Sequence, residues 1–291
     1  VVGNLLLGDL ARDRFLATPL PTAVAGDDKR SEYVQLARLA ASGEQPGSSA
    51  GGEQPKFAAF AMTPAGARHV LVKFSEAETG PVSERWRDLL LVEHLALETL
   101  REGGMAAATS RIIDTADQRF LEVERFDRVG DLGRRALFSL AALDAEFVGS
   151  GNGHWPAIVR ELAAAGEVRP DAARDAELLW AFGTLIGNSD MHNGNLSFIA
   201  DHGRPYALAP AYDMTAMVFR PTSGGALPAS LPDAVLHADV TNAAWRRAHG
   251  LAQRFIERLA TAKGFSARFR TCIAALAAHV ATAGRKVERL A

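Results

Sequence analysis

The stretch Gly187-Asn188-Ser189-Asp190-Met191-His192-Asn193-Gly194-Asn195, followed by Pro210-Ala211-Tyr212-Asp213-Met214, decides how the rest of this chain is read. Asp190 and Asn195 stand five positions apart, and Asp213 comes eighteen positions after Asn195. Between them, residues 196–199 and 206–208 read as two short strands around the turn-forming Asp201-His202-Gly203-Arg204-Pro205. An acid, an amide five residues on and a second acid beyond a strand pair make a hard-oxygen set. Such a set suits Mg²⁺ and can orient a hydroxyl for phosphoryl transfer. The D-x-x-x-x-N spacing by itself also fits an Asx-capped turn; the second acid shifts the balance toward phosphoryl transfer.

That chemistry also needs a cation at the phosphates, because positioning and charge neutralisation carry most of the catalysis. Lys73 closes the strand-like run His69-Val70-Leu71-Val72-Lys73, and Glu93, twenty positions later in a helical run, is its candidate ion-pair partner. Lys56, in Gln54-Pro55-Lys56, competes for the same role. It follows the small-residue loop Ser48-Ser49-Ala50-Gly51-Gly52-Glu53, whose backbone N–H groups suit phosphate, with a flexible linker as the plain alternative. This loop is neither a Walker A loop nor a G-x-G-x-x-G. Gly149-Ser150-Gly151-Asn152-Gly153 neither follows a strand nor opens a helix in the dinucleotide manner, and reads as a loop. His192 and His154 lack a second ligand at metal spacing, so His192 is read as ordering the segment that carries Asp190.

Working outward, residues 31–40 carry a helical pattern that stops at Gly43, and residues 56–62 and 68–74 form a hairpin turned by Thr63-Pro64-Ala65-Gly66. Residues 83–102 read as a helix closed by Gly103-Gly104, and residues 111–114 and 119–126 as a second strand pair. Beyond Arg128 the pattern turns helical near residues 137–147, 156–165, 171–186, 242–262 and 266–290, with Pro156 in a first turn and Asp171 as an N-cap. We therefore expect an α+β fold with a small β-rich part over residues 1–125 and a mostly helical part over residues 126–291. Residues 220–233, rich in Pro, Gly and Ser, read as a long loop.

Composition narrows the class. With 291 residues, 48% of them hydrophobic and 23% charged, the chain is an ordinary globular sequence. The single cysteine, Cys272, has no partner for a disulfide or a thiolate metal site, which fits a reducing cytoplasm. The longest apolar runs, residues 178–186 and 274–283, fall short of a membrane span. The start, Val1-Val2-Gly3-Asn4, has neither an initiator Met nor a basic signal-peptide region, so we expect further chain upstream. The net charge of −2 argues against a stand-alone nucleic-acid binder. From Thr241 to Ala291, however, ten Lys and Arg stand against two acids, a surplus of +8 that leaves about −10 elsewhere. Solvated helix faces account for this, with a docking surface for nucleic acid or an acidic partner as the alternative.

Taken together, Ser49-x-x-Gly52-x-Gln54-x-Lys56, the strand ending at Lys73, Val123-Glu124-Arg125-Phe126-Asp127-Arg128, the Asp190 stretch and Pro210-Ala211-Tyr212-Asp213 resemble the HipA-like toxin kinases. The form Ser-Ser-Ala-Gly-Gly-Glu-Gln-Pro-Lys-Phe looks most like the HipH (YjjJ) branch. The resemblance implies a bilobal, protein-kinase-like fold that transfers the γ-phosphate of ATP to Ser or Thr of a protein, as the toxin of a toxin–antitoxin pair. It implies Asp190 as catalytic base, Asn195 and Asp213 as Mg²⁺ ligands, and Lys73 as the phosphate-binding lysine. Glu124 to Phe126 would be the hinge against adenine. Ser49, Gly51, Gly52, Gln54, Lys56 and His192 would border the nucleotide, with Ser48 and Ser49 as autophosphorylation candidates that, once phosphorylated, expel the loop from the pocket. One departure from ordinary protein kinases is Ser189, where a eukaryotic catalytic loop has Arg. Control is then expected at Ser48 and Ser49 or through a partner rather than through a phosphorylated activation loop. The implied partners are a protein substrate and an antitoxin, with DNA reached only through a complex or the basic C-terminal helices, and no membrane. Two alternatives remain open. A small-molecule or lipid kinase would lack the Gln-Pro-Lys loop and the Glu-Arg-Phe-Asp-Arg segment, and a pseudokinase would bind nucleotide within a repressor complex without transferring phosphate.

Overall fold

The computed structural model describes residues 3–42, 54–151, 153–221 and 231–290. After α1 (Gly8–Leu16) and α2 (Lys29–Ala41), the chain forms the hairpin β1 (Lys56–Thr63) and β2 (Gly66–Phe74). Gly66 adopts φ +94°, which a side chain would resist, and Thr63 closes the turn by bonding Ala65 N and Gly66 O. Helix α3 (Pro81–Glu102) follows, then β3 (Ser110–Asp114) and β4 (Arg119–Glu124). The four strands make one antiparallel sheet in the order β1-β2-β4-β3.

The small pair β5 (Arg128–Val129) and β6 (Gly133–Arg134) leads into β7 (Leu137–Ser139), α4 (Leu140–Leu143) and a π-helical turn at Asp144–Val148. Then come α5 (Trp155–Ala164), α6 (Pro170–Leu185), β8 (Ser197–Ile199), β9 (Ala207–Leu208), α7 (Asn242–Thr261) and α8 (Phe269–Val287). Strands β7, β8 and β9 form a second, three-stranded sheet. Among the described residues no helix is long and apolar enough to cross a membrane.

The periodicity-based expectations hold for α2, the first hairpin, α3, β3, α5 to α8, β8 and β9, and need correction at a few points. Residues 137–139 are a strand rather than the start of a helix, because Leu137 to Ser139 pair with Ile199 to Ser197, a contact no local pattern reveals. Strand β4 stops at Glu124, after which Arg125 and Asp127 lock together in a bidentate ion pair at 2.9 and 2.6 Å. Helix α6 starts at Pro170 with Arg169 as its N-cap, so Asp171 lies in the first turn instead of capping it. Helix α1 escaped notice because it buries none of its residues. The C-terminal basic residues lie mostly exposed, as solvated helix faces do, and several also reach neighbouring elements. Arg247 bonds Gly103 O, Arg270 bonds Ala260 O and Ala262 O, Arg258 pairs with Glu98 and Glu102, and Lys286 pairs with Asp233.

Two large apolar cores form, with a small third one, Leu90, Ala108, Leu121 and Val123, where α3 packs on the first sheet. One, built on Tyr33, Phe57, Val70, Val72, Phe74 and Phe120, lies between α2 and the first sheet. The other gathers Leu89, Val92, Ala96, Leu97 and Leu100 of α3 with α5, α6, α7 and α8. Helix α2 buries Lys29, Tyr33 and Ala37, one stripe at i, i+4, i+8. Its polar members converge on Glu122 of β4, with Lys29 Nζ and Tyr33 Oη both 2.5 Å from Glu122 Oε2. All three side chains are buried, so the charges have little access to water. Glu122→Ala, which strands the Lys29 ammonium, is expected to destabilise the protein by about 3–5 kcal/mol, and Tyr33→Phe by about 1–2 kcal/mol. Urea unfolding would check both, and wild-type midpoints would show that this triad does not hold α2 on the sheet.

Candidate active site

Lys73, near the end of β2, is fully engaged. Its Nζ lies 2.7 Å from both carboxylate oxygens of Glu93 on α3, and it also pairs with Asp213 Oδ1. Sheet, long helix and the segment after β9 thus converge on one ammonium. Burial alone would lower the Lys73 pKa, but the Asp213 and Glu93 carboxylates outweigh it and hold it above the ordinary lysine value. Burial would likewise raise Asp213, yet Lys73, helped by Lys56 and His192, holds its carboxyl below the usual range. Glu93 goes the other way, raised by its burial in spite of Lys73.

The register of the first hairpin places Lys56 directly opposite Lys73, so both side chains leave the same face of the sheet. Burial lowers the pKa of Lys56 against the pull of Asp213. The two candidate lysines are therefore neighbours around one carboxylate. Gln54, just ahead of β1, is half-buried, while Ser48, Ser49, Gly51 and Gly52 lie outside the described residues.

Asp213 is the one non-glycine residue with positive φ among the described residues, at 53°. That conformation disfavours an L-residue by about 1–2 kcal/mol, and the surroundings enforce it. Ala211 is fixed against the segment after α3, its N–H 2.9 Å from Ala106 O and its carbonyl 2.9 Å from Ala108 N. Tyr212 donates to Gly194 O at 2.9 Å and shares a 2.7 Å bond with Ser197 Oγ. Burial pushes its phenol up to about 12, so it stays a protonated donor. Its ring packs on Phe126, centroids 5.7 Å apart. Phe126 thus touches the Asp213 segment from beyond the end of β4, where Arg125 N bonds His69 O at 2.9 Å.

The segment from Gly187 to Asn195 leaves α6 through a left-handed glycine, φ +71°, where a Cβ would meet Val218 Cγ1 at 2.7 Å. Asn188 is buried and works on both sides, its Oδ1 accepting from Asp190 N at 3.1 Å and its Nδ2 reaching Asp213 O at 3.4 Å. Asn195 Nδ2 donates to Asp190 O at 2.8 Å, which leaves its carbonyl oxygen as the donor available to a cation. His192 Nδ1 accepts from Gly194 N at 3.0 Å, and its carbonyl takes bonds from Trp155 Nε1 and Asn195 N. These bonds present the Asp190 carboxyl to solvent. Among the described residues no group of three or more His, Cys, Asp or Glu side chains is arranged to hold a metal. One carboxylate, Asp213, and one amide, Asn195, fit an ion that takes most of its shell from phosphate and water, the habit of Mg²⁺.

Sequence reasoning found Asp190, Asn195, Asp213, Lys73 and Glu93 but missed Asn188, Tyr212 and Trp155 as supports. Asn188 and Tyr212 stand inside the quoted motifs, yet only the loop path reveals what they hold.

The sequence matches the family of the HipA-like C-terminal domain over residues 48–283. It is 41% identical over 289 residues to Toxin YjjJ of Escherichia coli (strain K12), covering 99% of this chain and 65% of that relative, so the chain spans just under two thirds of it. Among solved structures, it superposes with a TM-score of 0.55 on the HipA of the Shewanella oneidensis MR-1 toxin–antitoxin system, solved with HipB and operator DNA. The identity there is 18%, over 83% of this chain and 65% of that one. The Helicobacter pylori proinflammatory kinase CtkA gives a TM-score of 0.55 at 13% identity, over 80% of this chain and 94% of that one. The fold is that of these two structures, and the chain belongs to the HipA-like family.

Proposed function

We propose that this chain is an ATP-dependent Ser/Thr protein kinase of the HipA-like toxin type, acting in the cytoplasm. We read it as bilobal, with a nucleotide cleft between residues 1–125 and residues 126–291. The observation that carries this reading is the convergence of Lys73, Glu93 and Asp213, with Asn195 and Asp190 ordered on the adjoining loop. Lys73, now paired with Asp213, would turn to the phosphates. Asp213 and Asn195 would hold Mg²⁺, which supplies charge neutralisation on the triphosphate. Asp190, its backbone pinned by Asn188 and Asn195, would orient the acceptor hydroxyl and take its proton as the phosphoryl group transfers. Glu124 to Phe126 would meet the adenine, and Gln54, Lys56, Gly51, Gly52 and His192 the phosphate side. Autophosphorylation at Ser48 or Ser49 would add negative charge beside the nucleotide and shut the site. A protein antitoxin is the proposed partner, with DNA approached through that complex.

Incubation of purified protein with radiolabelled ATP and Mg²⁺ is expected to label Ser48 or Ser49; neither labelling nor ATP turnover would sink the kinase reading. Asp190→Asn should lower transfer by about 100-fold or more with Mg-ATP affinity near wild type, and retained transfer would remove Asp190 from its role. Asp213→Asn should instead weaken Mg-ATP binding in calorimetry by about 10-fold or more, and unchanged affinity would exclude it as a ligand. The charges also set a pH window. Asp213, lowered in the folded state, adds stability that is full above the ordinary carboxylate value of about 4 and is lost as pH falls through its own lower value. Lys73, raised, adds stability that is full below about 10.4 and is lost only at higher pH. Wild type should therefore lose stability relative to Asp213→Asn below about pH 4, with a flat difference from about 5 to 9. A difference that stays flat through pH 3 would contradict the pairing.

A further inference from the structure

A cavity of about 600 Å³ opens on the far side of the segment that carries Asp190. Its walls are Met191, His192, Asn193 and Gly194 of that segment, with Asp144, His154 and Trp180 facing them. His192 belongs to both sides, since it lines the cavity and also acts electrostatically on Asp213.

Two features give the cavity a chemical preference. The first is Asp144, 5% exposed at the start of the π-helical turn. Its Oδ1 accepts from Ser150 N and its Oδ2 from Ser150 Oγ, both at 2.9 Å. Both donors are neutral, and among the described residues no Lys or Arg pairs with it. A buried carboxylate without a counter-charge is unfavourable, and each of its oxygens keeps a further lone pair for a cationic donor. Gly149, at φ +75°, turns the chain back over it. The second is a bank of flat rings, with His154 4.9 Å from Trp180 and 4.3 Å from His237. Trp180 is 8% exposed, and its Nε1 has no hydrogen-bond partner. A carboxylate beside aromatic ring faces is the arrangement that takes a guanidinium or ammonium group by ion pairing and cation–π contact.

We propose that this cavity is the acceptor-side specificity pocket and takes an Arg or Lys side chain close to the phosphorylated Ser or Thr, with Asp144 as counter-charge and Trp180 and His154 as its wall. This rests on the kinase reading. An acceptor hydroxyl must reach Asp190 from the side away from the nucleotide, and the residues flanking it then lie along Met191 to Gly194.

The test is phosphoproteomics after brief expression of wild type, Asp190→Asn, Asp144→Asn and Ala145→Lys. Asp144→Asn keeps an oxygen for Ser150 N but loses the charge. Ala145→Lys, from an exposed position on the cavity wall, supplies a resident cation and leaves the Asp144 bonds intact. Sites phosphorylated by wild type but not by Asp190→Asn should carry Arg or Lys within three positions of the acceptor. Both pocket variants should lower their occupancy about 10-fold or more, while Mg-ATP affinity within about two-fold of wild type reports an intact fold. Absence of a basic bias, or its persistence in both variants, overturns the pocket. If wild type adds no sites beyond Asp190→Asn, the kinase reading itself fails, and the pocket with it.

Discussion

Everything in this molecule is arranged around one buried ammonium. Lys73 is brought by the sheet, Glu93 by the long helix and Asp213 by the turn after the second sheet, and the buried ammonium keeps its charge because both carboxylates meet it. The left-handed backbone at Asp213 belongs to the same constraint, since strain at a single residue persists only where the surroundings over-determine it. Ala211, Tyr212 and Asn188 supply that over-determination from three directions.

Helix α3 transmits the constraint to the rest of the fold. Besides its apolar face, it is fastened along its length. Arg85 bonds Phe219 O, Asp88 accepts from Ser266 N and Oγ, Thr215 bonds Leu89 O, and Arg258 pairs with Glu98 and Glu102 near its end. Glu93 therefore sits where helical packing puts it.

Much of this was legible in the chain. The hairpin from Lys56 to Phe74 announced itself through a turn that needs Gly66, and α3 through a long apolar stripe closed by two glycines. Asp190, Asn195 and Asp213 stand out by their spacing, and the structure orders Asp190 and Asn195 on one segment beside Asp213. What spacing could not give was anything fixed by pairing between distant segments. The competition between Lys56 and Lys73 dissolves once the register sets them side by side. Leu137 and Phe138 carry apolar side chains that suit a helix start and, with Ser139, are held instead by β8. The surplus charge near the C-terminus is the surface feature its sequence suggests, and several of its arginines also bond backbone carbonyls and acids of neighbouring elements.

The most direct test of the account is a crystal structure of the full chain with Mg²⁺ and a non-hydrolysable ATP analogue. The account predicts that Lys73 Nζ leaves Asp213 for the phosphates while keeping Glu93. Asp213 and the Asn195 carbonyl oxygen should then lie at about 2.1 Å from Mg²⁺, with the Asp190 carboxyl facing the γ-phosphate. A nucleotide bound elsewhere, or an unbroken Lys73–Asp213 pair beside a metal held by other residues, would contradict it.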